Sequence, residues 1–298
     1  MHRRSLLNLV LVAAAVLLTA LLWLDRESAP EPDPLTALSR DAIADVRIEY
    51  PDALDLHLVR GDDGWRMTAP IAARLEDSEV MQILRLAEAD VHREYPEGEL
   101  DPARIGLDEP PHTVILETGD GRGARIELGG QSALEGNRYA RVGDTVYLID
   151  EPNMRALDAE FSNLIARDLL SEDAEIEKLE LPGATLTPAG NGGWAVSPAS
   201  ADRGADAAQR TLRAWHAARA MWLKPADDRE PESRVRIHLA GGEVRELAVV
   251  ARQPQLILRD PALGVHYHIA ANEAGPLLDM QHDAEKTNHR DTENTEQK

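Results

Sequence analysis

The sequence predicts an α+β protein: two tandem copies of an antiparallel sheet, each with one principal packed helix, following an N-terminal transmembrane helix. Three observations carry this reading. First, Gly64-Trp65 recurs as Gly193-Trp194, Asp77 as Asp206, Ala89 as Ala218 and Pro96 as Pro225, all 129 positions apart. Val114 with Val235, and Tyr147 with Tyr267, continue the correspondence at spacings of 121 and 120. Solenoid units run roughly 20–50 residues, so a period of this length reads as a duplicated domain. Second, both copies alternate apolar and polar residues in short runs separated by Gly-Asp and Gly-Gly turns. Third, Leu6 to Leu24 holds no charged residue and is preceded by His2, Arg3 and Arg4.

Taken in chain order, residues 1–4 are expected in the cytoplasm and 5–24 as the membrane anchor. The run is long enough to span a bilayer as a helix, and its basic flank faces inward. A cleaved signal peptide is the competing reading; it would need a shorter apolar core and a small-x-small cleavage site, and none follows Trp23-Leu24-Asp25-Arg26. Residues 25–42 contain Pro30, Pro32 and Pro34 among charges and read as a stiff spacer.

The first repeat is expected over 43–158. Val46 to Glu49 and Leu54 to Leu58 alternate as half-buried strands, and Gly61-Asp62-Asp63-Gly64 turns the chain into Trp65-Arg66-Met67. A helix then starts at Asp77 as N-cap, with Val80, Ile83, Leu84, Ala87 and Val91 as its apolar stripe. Strands are expected at Thr113–Glu117, Ala124–Leu128, Arg138–Arg141 and Val146–Ile149, and a short helix over Pro152–Leu157 closes the unit.

A connecting segment, 159–175, leads to the second repeat over 176–281. Its strands are expected at Glu177–Leu181, Ala184–Pro188, Arg234–Leu239, Glu243–Val250, Gln255–Arg259 and Val265–Ile269, with a helix from Asp206 to Ala220. The second copy shortens the loop before its third strand group: Asp101–Pro110 in the first becomes Ala226–Ser233. Residues 282–298 are polar and aperiodic, the composition of a disordered tail.

Composition narrows the function. The net charge of −21 opposes nucleic-acid binding, which needs Lys and Arg against phosphate. The absence of cysteine removes thiol catalysis, iron–sulfur clusters and thiolate zinc sites. With the bulk of the chain beyond the anchor, the expected location is the periplasmic side of a bacterial inner membrane.

The first copy carries Gly64-Trp65-x-Met67-x-x-Pro70, Asp77, Ile105-Gly106-Leu107-Asp108-x-Pro110, Ile126-x-Leu128-Gly129, Asn137-Arg138-Tyr139 and Val146-Tyr147-Leu148. That ordered set resembles the bacterial family called domain of unknown function 4340, over about residues 43–170. The second copy shares only its Trp, Asp and strand pattern and lacks the Gly-Leu-Asp-x-Pro segment. The resemblance implies an envelope protein with an N-terminal membrane segment, and a role beside ABC-type transport components of gliding-motility-like systems. It implies no catalytic residues and no cofactor.

Candidate sites are few. Trp65 and Trp194 could be binding platforms, but a repeated Trp behind a hairpin turn suits a core anchor better. Asp77 and Asp206 could be paired acids; helix capping explains each alone. Asp108 and Glu109 place two carboxylates in a Pro-bounded loop and are candidate partner contacts. His266 and His268 would share one strand face, with His238 on a nearby strand, as a metal site would require; a solvent-facing strand face is the preferred reading. Trp215 is expected in the core. Trp222 is a candidate partner contact. Gly119 to Gly123 lacks the Walker Lys-Ser/Thr and precedes a strand, so it is no phosphate loop.

The expected function is therefore non-enzymatic: a membrane-anchored periplasmic scaffold or accessory protein for an envelope partner such as an ABC transporter subunit. The alternative is a ligand-binding module using the cleft between the repeats. A metal-dependent hydrolase using His266 and His268 is the third reading.

Overall fold

The computed structural model describes residues 33–280, except 97, 134–135, 159, 191 and 200–203. The anchor at 5–24, the start of the linker and the tail at 282–298 lie outside the described residues. Among the described residues no helix is long and apolar enough to cross a membrane.

The first unit contains β1 (Ile43–Glu49), β2 (Leu56–Gly61), β3 (Gly64–Ala69), β4 (Ala73–Arg74), α1 (Asp77–Leu84), β5 (Val91–Tyr95), α2 (Pro102–Ile105), β6 (His112–Thr118), β7 (Gly123–Gln131), β8 (Asn137–Val142) and β9 (Thr145–Asp150). The second contains β10 (Ile176–Leu181), β11 (Ala184–Pro188), β12 (Trp194–Ser197), α3 (Ala205–Ala217), β13 (Trp222–Pro225), β14 (Ser233–Leu239), β15 (Val244–Ala251), β16 (Leu256–Asp260) and β17 (Val265–Ile269). Their sheets are ordered β4-β3-β2-β1-β6-β7-β8-β9-β5 and β12-β11-β10-β14-β15-β16-β17-β13. Apart from β4 the two orders are the same, so the spaced residue matches do mark a repeated architecture. Every paired strand runs antiparallel to its neighbour.

In each unit the chain leaves one sheet edge, crosses in a helix, and returns as a strand at the opposite edge: β5 beside β9, and β13 beside β17. These two edge strands are absent from the sequence-based expectation. Val91 continues the apolar spacing of the helix, but α1 stops at Leu84, tightens into a 3-10 turn over Arg85–Glu88, and extends at Ala89. Val91-His92-Arg93-Glu94-Tyr95 then pairs as a strand, favoured by its β-branched and aromatic ends. Likewise α3 ends at Ala217 rather than Ala220. The expected helix over Pro152–Leu157 is a pair of turns closed by Ala156 N–H to Asn153 O and Leu157 N–H to Met154 O.

The inner faces meet in one core. Val46, Leu58, Trp65, Met67, Val114, Ile126 and Leu128 pack against Val80, Ile83 and Leu84 of α1. Leu179, Leu186, Val235, Leu247, Leu258 and Tyr267 pack with Leu212 and Trp215 of α3. Trp215 is fully buried and its indole N–H donates to Leu277 O at 3.0 Å. Leu35 and Leu38 before β1, and Leu164, Ile165, Leu169 and Leu170 between the sheets, join the same core. Apolar contact therefore continues from one unit into the next.

The capping role expected of Asp77 is corrected. Glu76 holds the N-cap position, and the Asp77 carboxylate instead reaches the β2–β3 turn, where it lies 3.5 Å from the Trp65 backbone N–H. It ties the start of the helix to the hairpin. In the second unit the N-cap is Gly204, and Asp206 sits in the first helical turn, where its charge suits the helix dipole.

Candidate functional site

The connecting segment is where the two units are fastened together. Leu75, following β4, bridges to Ile165, Ala166 N–H donates to Arg74 O at 2.9 Å, and Glu76 N–H donates to Leu164 O at 2.8 Å. A few residues later the same segment pairs with the second unit: Leu169 N–H donates to Ala218 O at 3.0 Å and Ala220 N–H to Arg167 O at 2.8 Å. Side chains add a clasp. The Arg219 guanidinium spans both Glu76 oxygens at 2.9 Å and Asp168 Oδ2 at 2.6 Å, and Arg167 meets Glu79 at 3.0 Å. Charge-assisted hydrogen bonds of this kind are shorter and stronger than neutral ones.

Beside the clasp lies a cleft of about 590 Å³, walled by Arg66, Arg74 and Ala73 of the first unit, Asp168 and Leu170 of the connector, and Arg245, Asp260 and Tyr267 of the second. This volume suits a small-molecule site. Its second-unit wall is built and buried. Asp260, 2% exposed, accepts from Arg245 Nε at 3.0 Å and from the backbone N–H groups of Ala262 and Leu263. Arg245 also donates to the Tyr267 hydroxyl at 3.0 Å. Burial holds the Tyr267 hydroxyl above its ordinary pKa, so it is a protonated donor at neutral pH. None of the cleft residues belongs to the sequence-derived site candidates. The signal that could have found them is the placement of Arg66 and Arg74 on strands flanking a turn, but their meeting with Tyr267 depends on how the units dock.

His266 and His268 do share a strand face, opposite Val265, Tyr267 and Ile269, and their rings lie 6.3 Å apart. That face is not solvent-facing, which corrects the expectation: His266 is 1% exposed and His268 9%. The loop after β13 covers them. Arg259 donates to Asp227 O and Arg229 O, both at 3.1 Å, which folds that loop back over the strand. Arg229 Nη2 approaches His266 Nδ1 at 3.4 Å, while His266 Nε2 is buried without a hydrogen bond, 3.8 Å from Asp227 Oδ1. His268 Nδ1 lies 3.1 Å from Gln255 Oε1, and its ring stacks on Trp222 at 5.5 Å. Burial holds both histidines below their ordinary pKa. His238 does not join them. It lies on β14, with β15 and β16 intervening, and pairs with Glu180 at 3.0 Å. Among the described residues no group of three or more His, Asp or Glu is placed to hold a metal ion.

Trp222 is 38% exposed and adjoins Met221 at 40%, so the β13 edge presents an apolar step to solvent. Asp108 and Glu109 are exposed at the end of the Gly106–Pro110 loop. Trp65 is buried in the core, whereas Trp194 is only partly so.

The family model described as Domain of unknown function (DUF4340) matches residues 65–225, more than half of the chain, and the chain belongs to that family. The match begins at the Trp65 hairpin and ends at the last residue of β13, so it spans the clasp. No curated protein and no solved structure matches the chain.

Proposed function

We propose that this chain is a membrane-anchored periplasmic accessory protein that acts by binding, as a scaffold for an envelope protein such as a subunit of an ABC-type transport system. The observation that supports this most is the joining of the two units. One apolar core and the Arg219–Glu76–Asp168 clasp hold two sheets together while Met221 and Trp222, at the start of β13, expose apolar side chains to solvent. Adjacent exposed apolar side chains of this kind suit a protein contact. Asp108 and Glu109 offer a second, acidic contact on the first unit.

The test is site-specific photo-crosslinking in membranes. A photoreactive residue at Met221 of the full chain is expected to give one dominant adduct, identified as a transporter subunit, and Trp222→Ala is expected to reduce its yield roughly tenfold, as for an interface hot spot. An adduct of unchanged yield in Trp222→Ala, or crosslinking only to lipid, counts against the reading.

The second reading, a ligand-binding module, is supported by the cleft of about 590 Å³ between the units and by its buried Asp260–Arg245–Tyr267 wall.

A further inference from the structure

We propose that the cleft between the two units is a carboxylate-binding site, in which Arg66 and Arg74 of the first unit hold the anion and the Tyr267 hydroxyl of the second donates to it. The proposal rests on the ligand-binding reading of this cleft and gives it a ligand class.

The argument starts from strand register. Arg66 on β3 and Arg74 on β4 are directly opposed across an antiparallel pair. Residues so placed project to the same side, and like charges placed opposite one another destabilise a sheet. Across the described residues most arginines have a carboxylate within 4 Å; Arg66 and Arg74 are not among them. Arg74 makes one long hydrogen bond, to the Asp168 carbonyl at 3.3 Å. Arg66 is exposed and Arg74 half-buried, and this directly opposed pair without a close carboxylate is a place where an anion is stabilised.

Most of the wall carboxylates are already engaged. Of the cleft's carboxylates, Asp168 is held by Arg219, Glu246 by Arg234 and Arg236, and Asp260 by Arg245. Glu243 is exposed. Asp173, outside the lining, feels Arg74 only as a minor influence behind its bond to Ser171. The opposite wall supplies a neutral donor: Arg245 already fills an acceptor position on the Tyr267 oxygen, which leaves the hydroxyl hydrogen to point elsewhere. Arg74 and Tyr267 line the same cleft from the two units.

Two guanidinium groups and one hydroxyl match the two oxygens of a carboxylate. With room for a body of small-molecule size, the expected ligand is an organic acid with its carboxylate at the arginine pair.

The test uses the full chain in detergent micelles, titrated calorimetrically with succinate, glutarate, benzoate and inorganic phosphate at fixed ionic strength. At least one carboxylate is expected to bind, with affinity reduced roughly tenfold or more in Arg74→Gln and Arg66→Gln, and by less in Tyr267→Phe. Without ligand, Arg66→Gln is expected to unfold at the same temperature as wild type or about 1–2 °C higher at low salt, because a like-charge pair has been removed. Carboxylate binding that is unchanged in both arginine variants overturns this site while leaving the ligand-binding reading of the cleft. Phosphate binding without carboxylate binding overturns the ligand class. No binding of any of the four anions overturns both.

Discussion

The same topological place is built in opposite ways in the two units. After the edge strand β5, the first unit sends residues 101–110 over the outer face of its sheet. Asp101 caps the single turn of α2, and Gly106 follows in the left-handed region at φ 71°. Ile105 and Leu107 are then buried against β7 at the paired glycines Gly129 and Gly130, away from the main core. Arg141 donates to Leu107 O and also pairs with Glu127, which latches the loop down. After β13, the second unit sends the shorter stretch 226–232 over the corresponding face. There the cover is Asp227 and Arg229, and beneath it lie His266 and His268 where the first unit has Val146 and Leu148. One unit seals its outer face with packed apolar groups against glycine backbone. The other covers it with charges over half-satisfied imidazoles. The dry version tolerates no added volume, and the polar version is sensitive to protons.

The largest effect expected from this contrast is at Gly129. A Cβ there would lie 2.4 Å from Ile105 O and 2.9 Å from Leu107 Cγ, so Gly129→Ala must displace the loop or the strand. A loss of about 2–4 kcal/mol is expected in denaturant unfolding. Gly190→Ala, in a second-unit turn with nothing within 4 Å of its Cβ, serves as the control and is expected to change stability by less than about 0.5 kcal/mol. Equal stability of the two variants would sink the close-packed account of the first loop.

A smaller separation is expected between the loops themselves. Leu107→Ala removes a side chain 1% exposed and is expected to cost about 2–3 kcal/mol. Arg229→Ala, a half-exposed residue of the second loop, is expected to stay within about 0.5 kcal/mol. Unfolding both variants under one set of conditions compares an apolar cover with a charged one directly. If Arg229→Ala costs as much as Leu107→Ala, the second loop is held by more than surface pairing.

The smallest effect is a pH dependence. Burial holds His266 and His268 below the ordinary value of 6.5, so near and below that pH the unfolded chain binds more protons than the folded one. Stability then rises with pH across this window, and acidification from pH 7 towards 5 erodes it. His112 in the first unit is held down by burial as well and adds to the same slope. The thermal midpoint is therefore expected to fall between pH 7 and 5, and the slope is expected to shrink, without vanishing, in the His266→Gln, His268→Gln double variant. An unchanged slope would show that the second unit's polar face does not titrate on folding.

Much of the fold was legible because it rests on local signals. The Gly-Asp and Gly-Gly turns, the period-2 runs and the spacing of Gly-Trp, Asp and Pro placed most strands and revealed the repeat. What escaped was decided by non-local partners. Val91 fits a helical stripe as well as a strand, and only the free edge of β9 selects the strand. Pro96 and Pro225 mark the ends of the two missed edge strands, but a proline alone does not say what precedes it. His266 and His268 were rightly placed on one strand face, yet their burial depends on a loop that begins some forty residues earlier in the chain.

The sequence alone determined the family, the two-fold repetition and the antiparallel class, because turn chemistry and hydrophobic periodicity act over a few residues. The tertiary structure alone decided that Arg66, Arg74 and Tyr267 line one cleft, that Arg219 clasps Glu76 and Asp168, and that one outer face is dry and the other ionic. The clasp pairs join residues 51 and 143 positions apart. Their energies come from desolvation and charge pairing that do not exist until the two sheets have been brought together.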